Sequence, residues 1–77
     1  MREKTPKLVI TFRTTDDAMA AEALLSRDGG RLIPVPQSID AGCGLAWCDD
    51  VAQKNDRIER LTRAEVAFDR VVIVDLY

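Results

Sequence analysis

Histidine is absent from this 77-residue chain, and cysteine occurs only twice. Without histidine there can be no histidine-based acid–base pair or catalytic triad. A structural zinc site needs four ligands, which two cysteines and no histidine do not supply within one chain. No metal and no cofactor is therefore expected. Aromatics make up 5% of the residues, and the chain holds one tryptophan. No apolar run approaches the roughly 20 residues that span a bilayer. The opening Met1-Arg2-Glu3-Lys4-Thr5-Pro6-Lys7 is basic, but the apolar stretch after it is too short for a signal peptide. A cytoplasmic protein is expected. There is also no basic excess: the formal charge is −2, which argues against a nucleic-acid partner.

What is present is an ordinary globular balance, 47% hydrophobic and 31% charged. The length suits one small domain, 1–77, near the size at which a single core becomes marginal. Residues 1–6 read as a disordered N-terminal arm.

Cys43 stands between Gly42 and Gly44 in the segment Gln37-Ser38-Ile39-Asp40-Ala41-Gly42-Cys43-Gly44-Leu45. Two flanking glycines supply no side chains to bury the thiol and let the backbone take positive φ. The tripeptide fits a presented thiol; it also fits a tight turn whose cysteine is incidental. A bond to Cys48 is not expected. If Gly44 to Cys48 is a strand, the two cysteines lie about 16 Å apart, whereas a disulfide needs Cα atoms about 5.5–6 Å apart.

Leu8-Val9-Ile10-Thr11-Phe12 is a β-branched and aromatic run, the pattern of a buried strand. Thr14 caps a first helix, with Asp17 three residues on and acidic residues at the positive end of the helix dipole. Ala18 to Arg27 continues it, with Ala18, Ala21 and Leu25 on one face, and Asp28-Gly29-Gly30 stops it. Arg31-Leu32-Ile33-Pro34-Val35-Pro36 reads as a second strand, which its prolines assign to a sheet edge. Gly44 to Cys48 is a third strand. Asp49 or Asp50 then caps a helix running to about Arg63, with Val51, Ile58 and Leu61 inward. Val71 to Val74 is the last strand.

The order β-α-β-β-α-β is that of an α+β, ferredoxin-like domain: a four-stranded antiparallel sheet with two helices on one face. In that topology the Cys43 turn and the start of the first helix lie at the same end. Arg13, Thr14 and Thr15 are then the residues expected near the thiol, and a helix N-terminus and an arginine both favour thiolate.

Several segments resemble the selenium/sulfur carrier-like family of small proteins. Its members have a strand ending in Thr-Phe, then Ser/Thr-x-x-x-Ala entering an alanine-rich helix, then a segment like Arg-Leu-Ile-Pro-Val-Pro, then Cys-Gly-Leu-Ala. Here these are Ile10-Thr11-Phe12, Thr14 to Ala18 followed by Ala20 to Leu25, Arg31 to Pro36, and Cys43 to Ala46. The resemblance covers about residues 7 to 77. It implies a carrier of sulfur or selenium, with Cys43 as acceptor, Gly44 as its structural companion, and donor and acceptor proteins as partners. Two departures stand out. Trp47-Cys48 adds an aromatic and a second thiol, and Ala64-Glu65-Val66-Ala67 replaces a glycine-containing loop.

Cys48, an odd number of residues from Cys43, points to the other face of a regular strand and reads as a packed or edge thiol, the alternative being a thiol that resolves chemistry at Cys43. Trp47 reads as core or interface. Lys54, Arg57, Arg60 and Arg63, interleaved with Asp56 and Glu59, read as a solvated helix face. Two function classes stay open: a thiol carrier acting through Cys43, and a noncatalytic binding or regulatory module, in either case monomeric or a homodimer.

Overall fold

Leu8 and Ile10, alternate residues of the first strand, mark the face of the sheet that the helices cover. The computed structural model describes residues 4–36, 39 and 44–76. It contains β1 (Thr5–Thr11), α1 (Thr15–Leu25), β2 (Arg31–Pro34), β3 (Leu45–Asp49), α2 (Lys54–Arg63) and β4 (Val71–Leu76). Short 3₁₀ turns, Ser26–Asp28 and Val51–Gln53, follow α1 and precede α2. The strands form one antiparallel sheet in the order β2-β3-β1-β4. This is the expected α+β, ferredoxin-like arrangement.

Leu8, Ile10 and Phe12 share one face with Trp47 and pack against Ala18, Ala21 and Leu25 of α1 and Leu61 of α2. All eight are fully buried. The alanines let α1 lie close to the sheet, because a methyl group is all that separates the two backbones there. Thr14 caps α1 as expected: its hydroxyl oxygen accepts from the Asp17 amide at 3.2 Å and donates to Asp17 Oδ2 at 2.9 Å.

β1 takes up Thr5 and Pro6, expected in the N-terminal arm. The extension pairs with β4 alone, Thr5 opposite Leu76 and Pro6 opposite Asp75, whereas β3 reaches only to Leu8. Because antiparallel ladders alternate bonded and non-bonded pairs, the proline nitrogens fall where no donor is required. Val35 N–H donates to Gly44 O at 3.0 Å, so the nitrogens of Pro34 and Pro36 face outward from the β2 edge, as the prolines predicted. Pro6 faces the side where β3 has already ended.

The α2 region departs from expectation on one face. Of the two caps expected, Asp50 caps the turn before the helix, accepting from the Ala52 amide at 2.9 Å. Arg57, expected on a solvated face, is buried, and Arg60 is half-buried; Lys54 and Arg63 stay exposed, Arg63 paired with Glu59 at 2.6 Å. The reason lies on β3. Asp49 shares the inward face with Trp47, and a buried carboxylate requires a cation beside it.

Candidate functional site

The two ends of the sheet differ in chemistry. At one end β1 leads into α1, and β2 leads toward β3. Thr11 stands opposite Ala46, and Ala46 opposite Ile33. Two residues further along each strand come Arg13, Gly44 and Val35, so the start of α1 and the described ends of the β2–β3 connection leave the sheet together. Gly44 is exposed with φ +79, a conformation costly for residues with a Cβ. Cys43 lies outside the described residues.

The other residues expected around Cys43 have partners or roles of their own. Arg13 is strongly exposed, with Nε 3.6 Å from Asp69 Oδ1 on the segment before β4. Thr14 is committed to capping α1. Thr15 is the exposed first residue of that helix, whose opening turn also carries Asp16 and Asp17. Apart from the Asp17 amide, which Thr14 takes, the first amides of α1 have no acceptor within the helix itself, as at any helix N-terminus.

At the opposite end a polar network closes the core. Trp47 Nε1 donates to Asp49 Oδ2 at 3.0 Å, and Arg57 Nε donates to the same oxygen at 2.6 Å. The Asp50 amide takes Asp49 Oδ1 at 2.7 Å. Arg57 Nη2 donates to the Asp28 carbonyl at 2.7 Å, and Arg60 Nη2 to the Leu24 carbonyl at 3.0 Å. Arg60 also pairs with the Asp28 carboxylate. The two arginines thus satisfy carbonyls at the end of α1 that lack helical partners. Burial pushes the Arg57 pKa down, but hydrogen bonds to Asp49 and Asp56 more than reverse this, and the guanidinium titrates above its ordinary value.

Beside this network is an open cleft of about 470 Å³, lined among others by Lys7, Gly30, Arg31, Cys48 and Asp49. Cys48 is a free, half-buried thiol on the sheet face away from the helices, between Val9 and Arg31 in register. Burial pushes its pKa up, Lys7 and Arg31 oppose this, and Asp49 reinforces it. Cys48 therefore has the environment of a packed thiol.

Sequence reading missed the Asp49–Arg57 pair. The signal was there: Leu45, Trp47 and Asp49 have one parity on β3, which puts a carboxylate on the core face. Among the described residues no cluster of histidine, cysteine and acidic side chains could hold a metal ion. No described helix is long and apolar enough to cross a membrane.

No curated protein and no solved structure gives a significant match to the chain. A family model does, over residues 7–73, which takes in both ends of the sheet and the Cys43-Gly44 segment. The chain belongs to the family described as putative Se/S carrier protein-like.

Proposed function

We infer that this protein carries sulfur or selenium on the Cys43 thiol between a donor protein and an acceptor protein. The observation that carries the reading is the family match, whose bounds, residues 7–73, include Gly42-Cys43-Gly44. The position of the α1 N-terminus supports it: Gly44, next in sequence to Cys43, leaves the sheet at the end where α1 presents its amides, and such amides favour an anion. The second thiol lacks this support, since Cys48 titrates above its ordinary value.

The chemistry is thiol–disulfide exchange applied to a persulfide. The Cys43 thiolate attacks the outer sulfur of a donor persulfide. A sulfur–sulfur bond forms at Cys43 as the donor's sulfur–sulfur bond breaks, and its electron pair leaves on the donor's inner sulfur, which takes up a proton. An acceptor nucleophile later attacks the terminal sulfur and releases the Cys43 thiolate. Each transfer conserves the oxidation level, so no external oxidant is needed. Selenium follows the same exchange.

Intact-mass measurement after exposure to a small persulfide donor tests the reading. Wild type and Cys48→Ser gain a reducible sulfur atom; Cys43→Ser does not. Equal loading of Cys43→Ser would discard the carrier reading in favour of a noncatalytic binding module.

A further inference from the structure

The two edges of the sheet are built differently. The β2 edge is short, and where its nitrogens face outward two of them belong to Pro34 and Pro36. Prolines at outward positions are a standard way to stop another strand from adding to an edge. The β4 edge has no such protection. It is six residues long, Val71-Val72-Ile73-Val74-Asp75-Leu76, with no proline and no lysine. Among the described residues no strand pairs with its outer side.

The outward groups of β4 can be identified. Thr11 N–H donates to Arg70 O at 2.9 Å. By alternation the pairs Val9–Val72, Lys7–Val74 and Thr5–Leu76 are bonded across β1 and β4. The N–H and C=O groups of Val71, Ile73 and Asp75 therefore point away from β1. Ile73 also leaves half of its side chain exposed, on the sheet face that carries the helices.

We propose that two copies of this chain associate through β4, antiparallel, about a two-fold axis at Ile73. In that register Val71 lies opposite the partner's Asp75 and Ile73 opposite the partner's Ile73, so all three outward residues of each edge exchange backbone bonds. The two isoleucine side chains meet on the helix-bearing face and cover each other. On the face away from the helices the same register sets the half-buried Val72 opposite the partner's Val74, so apolar side chains also meet across the seam there. The self-pair is isologous, so it closes at two copies and does not propagate, provided the β2 edge stays blocked.

Sedimentation equilibrium over a concentration series tests this, together with hydrogen exchange. Wild type shifts with concentration between its 8.6 kDa mass and twice that, and the amides of Val71, Ile73 and Asp75 exchange more slowly as the dimer forms. Ile73→Pro removes one outward donor and leaves every β1–β4 bond in place, so it sediments as a monomer with native circular dichroism. Ile73→Lys gives the same result without touching the backbone and decides the matter if the proline variant does not fold. Arg31→Glu, on the β2 edge, associates as wild type does. A wild type that stays monomeric at high micromolar concentration, or a dimer that persists in Ile73→Lys, overturns the proposal.

Discussion

Arg57 Nε lies 2.6 Å from Asp49 Oδ2, and each side chain is only 4% exposed. The pair joins α2 to the end of β3, and through the Asp28 carbonyl it reaches the end of α1 as well. Two charges taken from water at this depth are tolerated because every buried polar side-chain atom among the described residues has a partner. The pair thus fixes how both helices end on the sheet, at the end of the domain away from the Cys43 connection.

Removing one partner leaves the other charge buried and alone. Asp49→Ala and Arg57→Ala are each expected to cost about 3–5 kcal/mol, a large part of the stability of a domain this size. Replacing both by apolar residues should cost less than the sum of the two. Urea unfolding followed by Trp47 fluorescence measures this, since Trp47 is the only tryptophan and donates to Asp49. Arginine stays protonated in both folded and unfolded chains, so the arginine adds no pH dependence of its own to that stability.

Gly30 has φ +84, and a Cβ there would stand 2.8 Å from Trp47 Cζ2 and 2.9 Å from the Asp49 carboxylate. Neither neighbour can yield, because both are fixed in the network. Gly29 has φ +93 but open space around it. Gly30→Ala should therefore lose about 1–3 kcal/mol more than Gly29→Ala, the overpacking cost added to a similar backbone strain. Thermal unfolding of the two variants gives the difference.

Much of the fold was legible because local and long-range signals agreed. Leu8 to Phe12 is a β-branched and aromatic run buried throughout, Thr14 and Asp17 form a cap, and Pro34 and Pro36 can occupy only an edge. The α2 face was misread for a physical reason. Arg57 lies four residues before Leu61 on the same helical face, but charge spacing alone cannot distinguish a cation in solvent from one facing a buried carboxylate. That information lies on another strand, in the parity of Asp49. The candidate site is less legible still. Cys43 and Gly44 are marked by the sequence, whereas the Arg13–Asp69 pair depends on how the chain enters β4.

Glu65 has φ +58, the one described residue other than glycine with positive φ. It occupies the left-handed position after α2: its amide bonds Thr62 O at 3.1 Å, and the Val66 amide bonds Leu61 O at 2.9 Å. These are the two bonds of a Schellman motif, where glycine is the usual residue. The carrier family's glycine-containing loop falls in this segment, so Glu65 keeps the conformation without the residue that suits it. Glu65→Gly should raise stability by about 0.5–1 kcal/mol, read as a higher Tm. A fall in Tm would mean that the glutamate side chain contributes more than its backbone costs.

The last prediction concerns the Cys48 thiol. Its pKa is raised by burial, with Lys7 and Arg31 pulling the other way. A group whose pKa is raised on folding contributes stability that is fully present below its unfolded pKa, about 8.5 for a thiol, and that is lost as pH rises through the folded value. Wild type should therefore lose a stability increment above about pH 8.5 that Cys48→Ala lacks. Iodoacetamide labelling of Cys43→Ser, in which Cys48 is the only thiol, should be slow at neutral pH and rise only at alkaline pH. Fast labelling at pH 7 would show that Lys7 and Arg31 outweigh burial. Cys48 would then be a second thiolate in the protein, at the end of the sheet opposite the Cys43 connection.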